Sequence, residues 1–330
     1  MAQAQAPTPA QDSRQGARTA PPTPPNRPSE RDGNVTAGGK ATLDVKRECL
    51  YLNLMPKAKI ISLLNMKGGV GKTTCAVNLA THLARDHGKR VLLVDFDSQT
   101  NASLSVMSES AWDKWSAEHG TMADVLEVRG RKERGEPRKL ADCIIHNVLP
   151  EVPGLDLIPS HLALTFIDLD LAARPGRERI FARKIAKVRD EYDVILCDCP
   201  PNLMTATQNA LYASDAYLIP MQPDYLSTLG LRLLQDRLGY LKRELEFKIT
   251  CLGVIFTRVR GWIRYHAETM ERLRTDKEFK RLHFFETVIP ENIKLAEAPM
   301  EAKPIELHDS SASGAEAFRA LTREVVARLG

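Results

Sequence analysis

The chain has 330 residues, 43% of them hydrophobic and 27% charged, with a net charge of +4. That length accommodates one large α/β domain or two small ones, and the composition is that of a globular protein able to build a sizeable core. No stretch approaches the roughly 18 unbroken apolar residues needed to cross a bilayer, and the mild positive charge permits a basic patch without requiring one.

Met1 to Lys40 is rich in Pro, Ala, Gln, Ser and Thr and nearly lacks large apolar side chains. Such a segment cannot offset its chain entropy by burial, so residues 1–57 read as a disordered, Pro-rich N-terminal extension and 58–330 as the folded domain. The extension has no hydrophobic region of the kind a signal peptide needs. Its Pro pairs, Pro21-Pro22 and Pro24-Pro25, favour local polyproline II.

From Lys59 the pattern becomes strand, loop, helix, repeatedly. Apolar runs of strand length occur at Ile60–Leu64, Arg90–Phe96, Leu155–Ile158, Asp193–Cys197, Ala216–Ile219 and Thr250–Phe256. Lys72–His87 reads as a helix with Ala76, Leu79, Ala80 and Leu83 along one side. Runs apolar on both faces, alternating with helices, predict a doubly wound, mostly parallel sheet flanked by helices. Ser105–Pro153, which holds Trp112 and Trp115, is the least regular part, and its charged stretch Arg129–Lys139 reads as a solvated loop. The six cysteines, at 49, 75, 143, 197, 199 and 251, fall largely in apolar runs with no secretory signal before them, which suits reduced thiols in the cytoplasm.

The chemistry is concentrated in Lys67-Gly68-Gly69-Val70-Gly71-Lys72-Thr73-Thr74, which follows one predicted strand and opens a predicted helix. Glycines let successive backbone N–H groups turn toward phosphate oxygens, and the helix start adds its free amides and positive dipole end. In such a loop Lys72 supplies charge to the β- and γ-phosphates of ATP, Thr73 ligates Mg²⁺ and Thr74 adds a phosphate hydrogen bond. The additional lysine at the start, Lys67, makes the loop similar to that of the MinD/ParA superfamily of deviant Walker ATPases, and of its ParA-type partition ATPases in particular. The resemblance implies a P-loop fold in which Lys67 crosses a homodimer interface to the partner's nucleotide.

Further along, Asp95-Phe-Asp97-Ser-Gln99-Thr-Asn101 resembles the family's D-x-D-x-Q-x-N element, where the second aspartate, here Asp97, orients or activates the attacking water. Asp95 reads as structural. Tyr192 to Pro201 resembles the Walker B strand and its D-x-P-P end, so Asp198 is the expected Mg²⁺ carboxylate. Asp193, at the start of that strand, belongs at the opposite sheet edge. Phe285 to Pro299 is similar to a run in ParA proteins whose Pro-x-Asn loop lies beside adenine, which implies base contacts from Pro290 and Asn292. Glu291 stands where those relatives usually carry arginine. The similarity covers residues 58 to 330.

Phe318, Leu321, Val325 and Leu329 repeat at helical spacing as a core face, and no cationic amphipathic extension of the MinD type follows, so no membrane partner is expected. Basic residues gather at Arg232 and Arg237 and at Arg272, Arg274, Lys277 and Lys280, candidates for contacts to nonspecific DNA. The leading expectation is a cytoplasmic, nucleoid-associated ATPase that dimerises on ATP, binds DNA and positions a plasmid, chromosome or protein assembly. Its weak turnover would be stimulated by an adaptor of the centromere-binding type. The alternatives weighed are a MinD-like spatial regulator, a nucleotide-dependent scaffold without DNA, and a cluster-carrying relative of the nitrogenase iron protein, which the buried setting of Cys197 and Cys199 does not favour.

Overall fold

The computed structural model describes residues 58–128 and 138–329; the N-terminal extension and residues 129–137 of the charged stretch lie outside the described residues. Six strands form one sheet: β1 (Lys59–Leu63), β2 (Val91–Asp95), β3 (Leu155–Ile158), β4 (Val194–Asp198), β5 (Ala216–Met221) and β6 (Thr250–Phe256). Their order is β3-β2-β4-β1-β5-β6, and every neighbouring pair is parallel, where the sequence promised only a mostly parallel sheet.

Among the described residues, the α-helices of five residues or more are α1 (Lys72–Arg85), α2 (Glu109–Glu118), α3 (Ile180–Ile185), α4 (Thr205–Ala213), α5 (Tyr225–Glu244), α6 (Arg264–Thr275), α7 (Ile293–Glu297) and α8 (Ser313–Leu329). Side chains alternate across each strand, so the sheet feeds two cores. Ile61 and Leu63 of β1 pack in one core with Leu79 and Leu83 of α1 and with Phe318, Leu321 and Val325 of α8. Ile60 packs in the other, with Phe181 of α3, Leu211 of α4 and Leu231, Leu234 and Leu238 of α5. Each such side chain contributes roughly 1.5–3 kcal/mol relative to remaining exposed.

α1 is shorter than the predicted Lys72–His87. It ends at Arg85, where the Asp86 N–H closes on His82 O, and Gly88 turns the chain away at φ +59°. Because β1 sits centrally and the chain leaves it first toward β2 and later, from β4, toward β5, the direction of winding reverses there. Parallel strands end on the same side, so a crevice opens at the carboxyl ends of β1 and β4.

The β5–β6 pairing slips by one residue: Tyr217 faces Cys251 but Leu218 faces Gly253, leaving Leu252 as the extra residue of a bulge. A Cβ on Gly253 would stand 2.5 Å from Cε2 of Phe285, a ring fully buried in the core. Gly253→Ala is therefore expected to destabilise the fold by about 1–3 kcal/mol through overpacking, read as a lower urea midpoint. A variant as stable as its parent would show that this contact is loose.

Candidate functional site

The loop between β1 and α1 is pinned from both sides. Asn65 accepts a hydrogen bond from the Lys67 N–H at 3.0 Å and donates its amide to Pro220 O of β5 at 2.8 Å. Gly69 and Gly71 take φ of +72° and +82°. At Gly71 an added Cβ would meet only Thr257, at 3.8 Å, so conformation rather than space demands glycine; any other residue would cost about 1–2 kcal/mol. No side chain caps α1 at Gly71 and its first turn holds no acidic residue, which leaves the opening amides free for an anion.

Behind this loop the ends of β2 and β4 bring carboxylates together. Asp95 and Asp198 are cross-strand partners, and both are buried. Asp95 accepts from the Asp97 N–H at 3.1 Å, the Ser103 N–H at 2.9 Å and the Ser103 hydroxyl at 2.7 Å, which makes it a structural clamp, as its position in the motif suggested. Burial nevertheless pushes its carboxyl up to about 7. Asp198 has fewer donors. The Thr73 hydroxyl donates to its Oδ2 at 2.7 Å, while its Oδ1 is buried with no hydrogen-bond partner among the described residues. Burial, then the neighbouring Asp95, holds Asp198 well above the ordinary carboxylate range. Burial draws Lys72 down from its usual value, opposed by Asp198, Cys199 and Asp97. Lys72 reaches the carbonyl of Lys67 at 3.4 Å, curled back over the loop.

A cavity of about 930 Å³ opens in front of these groups. Gly68, Gly69, Gly71, Lys72, Thr73 and Thr74 line one end, with Asp97, Gln99 and Asn101 beside them; Pro290, Asn292 and the apolar Ile293 and Met300 line the other. Val70 is buried and contributes only backbone: its carbonyl accepts from the Thr257 hydroxyl at 2.7 Å. Asp97 is fixed by the Gln99 N–H on its Oδ1 at 3.0 Å and by the Ser160 hydroxyl on its carbonyl at 2.6 Å. Asn292 caps α7, accepting from the Lys294 N–H, and donates its amide to Ser313.

The residues fit Mg²⁺. Among the described residues no three His, Cys, Asp or Glu side chains are grouped to hold a metal, yet Mg²⁺ does not need a protein cage: it keeps several waters and takes one or two protein oxygens plus phosphates. A hydroxyl joined to a carboxylate with a bare buried oxygen is such a donor set.

Lys67 is turned elsewhere. Its ammonium pairs with Asp224 Oδ2 at 2.5 Å and lies 3.3 Å from the Ser227 hydroxyl, at the start of α5, where Asp224 caps the helix by accepting from the Ser227 N–H. The lysine lowers the Asp224 carboxyl from its usual value against a desolvation that raises it. Of the basic candidates, Arg232 is bound to Glu278 at 2.7 Å, and Arg274 donates to Phe285 O and sits over the Phe256 ring. Arg237, Arg272, Lys277 and Lys280 are exposed. Asp193 pairs with Arg90 at the opposite edge of the sheet, as expected from its place in the strand.

The sequence suggested no role at this site for Thr257, Arg258, Ser160 or Asp224. Thr257 and Arg258 follow the end of β6, and strand ends in an open α/β sheet are the positions that could have drawn attention to them. Asp224-x-x-Ser227 is a cap pattern before a helix.

Because Asp198 is raised in the folded chain, the unfolded chain releases its proton first as pH climbs past the ordinary carboxylate range, and this group's contribution to the stability of nucleotide-free protein falls with rising pH. Asp198→Asn should flatten part of that fall, measured as urea midpoints from about pH 4 to 8. An unchanged slope would mean that Asp198 ionises normally.

The model of the family described as AAA domain matches residues 58–251. The sporulation initiation inhibitor protein Soj of Bacillus subtilis is 36% identical over 269 residues, 82% of this chain and 98% of Soj. The chromosome partitioning protein ParA of Caulobacter vibrioides is 33% identical over 276 residues, 82% of this chain and 94% of ParA. Among solved structures, a plasmid partition protein from Borrelia burgdorferi bound to AMPPNP superposes with a TM-score of 0.65 at 25% identity, over 83% of this chain and 100% of that one. The septum site-determining protein MinD from Pyrococcus horikoshii, complexed with Mg-ADP, shares the fold with a TM-score of 0.61 at 24% identity, over 83% of this chain and 98% of MinD.

Proposed function

The chain belongs to the ParA-type partition ATPases, and from that premise we propose that it works as a switch: two copies pair on ATP, the pair holds DNA without sequence preference, and hydrolysis releases it. It is an ATPase that uses Mg²⁺. The observation that carries the nucleotide reading is the Thr73–Asp198 pair with its bare Oδ1, set beneath Lys72 and the free amides of α1. Thr73 and Asp198 would hold the ion, directly and through water. When bound, Mg²⁺ neutralises charge across the β- and γ-phosphate oxygens.

The protein's own groups do the rest by position and charge. Lys72 faces the phosphates and balances the buried carboxylates. Asp97, steadied by Gln99 and Ser160, orients a water for attack on the γ-phosphate. Pro290 and Asn292 meet the base, with Asn292 contributing mainly shape because its side chain is committed to α7 and Ser313. Slow intrinsic turnover, quickened by an adaptor of the centromere-binding type, completes this reading. Lys67 leaves Asp224 to reach the partner's nucleotide. The exposed Arg237, Arg272, Lys277 and Lys280 are the favoured DNA contacts, whereas Arg232 and Arg274 are already engaged within the chain. No helix among the described residues is long and apolar enough to cross a membrane. The proposed setting is the cytoplasm, on the nucleoid, with a plasmid, chromosome or protein assembly as cargo.

Phosphate release, with light scattering for mass, tests the site. Asp97→Ala should cut turnover by roughly a hundredfold while ATP still pairs the subunits; Lys67→Ala should abolish ATP-dependent pairing. Asp224→Asn, which frees the lysine, should let pairing occur at lower protein concentration. DNA retention should require ATP and fall steeply with salt. Equal retention with ATP, ADP and no nucleotide would refute the switch.

A further inference from the structure

The segment after β6 joins the two ends of the cavity. Thr257 donates to the carbonyl of Val70, and Arg258 Nη1 donates to the carbonyl of Gly69 at 3.0 Å, so two consecutive residues hold two consecutive peptide groups of the phosphate loop. The same segment runs beside the loop at the cavity's far end: Val259 N–H donates to Ile289 O at 3.1 Å and Glu291 N–H to Val259 O at 3.0 Å. Arg258 Nη2 then reaches Glu291 Oε1 at 3.3 Å, and Arg260 binds the same carboxylate, its Nη2 at 3.1 Å from Oε1. Both Arg258 and Glu291 line the cavity.

Arg258 makes these contacts from a left-handed backbone, φ +52°, which a residue with a Cβ adopts only at a cost. A partly exposed ion pair is worth little alone, so the pair by itself does not account for that conformation. The conformation does account for the guanidinium's place, because one planar group meets the phosphate-loop carbonyl and the Glu291 carboxylate at once. The hydrogen bond from Arg260 holds Glu291 below the usual carboxylate range, so it stays ionised to receive both arginines.

We propose that Arg258 and Glu291 form a clasp that fixes the base-side loop at Pro290–Asn292 relative to the phosphate loop, making them positioning residues for a ligand that spans both. This rests on the reading of the cavity as the ATP site. The clasp acts on the spacing between two subsites and not on either alone. A ligand confined to the phosphate end does not sense it; a nucleotide, which must satisfy both ends, does.

The test compares ATP with inorganic tripolyphosphate, by calorimetry with Mg²⁺ on the full chain. Arg258→Ala should weaken ATP by roughly tenfold, the size of a coupling between contacting groups, and leave tripolyphosphate within about twofold. Glu291→Gln should show the same selective loss, and the double variant should be no worse than Arg258→Ala. Arg258→Gly separates fold from clasp: glycine relaxes the left-handed backbone, so this variant should melt no lower than its parent and still lose ATP affinity selectively. Equal weakening of the two ligands, unaltered ATP binding, or strictly additive effects would overturn the clasp. If the unsubstituted protein bound neither ligand, the ATP-site reading itself would fail.

Discussion

Two carboxylates, Asp95 and Asp198, stand side by side at the ends of β2 and β4, both withdrawn from water. Removing an ionised carboxylate from water costs several kcal/mol unless donors replace the lost hydration. Asp95 is answered within the chain by Ser103 and the backbone of Asp97. Among the described residues, Asp198 receives Thr73 alone and keeps one oxygen bare. That difference fits a scaffold role for Asp95 and the Mg²⁺-holding role proposed for Asp198 on the neighbouring strand. Folded proteins rarely leave a buried polar atom unmatched, and where they do an ion or water is a ready explanation.

The two edges of the sheet make the same point by contrast. At the amino ends of the strands, Asp193 meets Arg90, and Asp156 is shared by His146, Tyr192 and the Asn147 N–H. Those polar groups are matched to one another. At the carboxyl ends, the free amides of α1, Lys72 and the bare oxygen of Asp198 are all left open on one cavity or just behind it. The parallel sheet assigns the ends, and the short side chains around it decide which end is satisfied from within.

Much of this was legible in the sequence. All six strands stand within a residue or two of their predicted spans, because a strand buried on both faces is mostly apolar and stands out from the mixed sequence around it. The phosphate loop was legible because its residues act through local spacing. What escaped notice depends on contacts between distant parts of the chain: Lys67 with Asp224, Val70 with Thr257 and Gly69 with Arg258 are separated by 157, 187 and 189 positions. Arg232 looked like one member of a basic face until the fold set Glu278 against it. Within Ser105–Pro153, α2 was not evident because its hold on the fold comes from a distant contact: Trp112 anchors it by donating to Ser160 O, far along the chain.

The Lys67–Asp224 pair has a bearing on reversibility. A cation already neutralised within its own subunit enters a new contact only by exchange, giving up one anion as it gains another. The net free energy of such an exchange is the small difference between two similar attractions, so the pairing of subunits proposed above would not be driven by unmatched charge alone. Asp224, once vacated, still caps α5 through the Ser227 N–H, and the way back stays open. Such a residue suits the proposed pairing, in which subunits must separate as readily as they join.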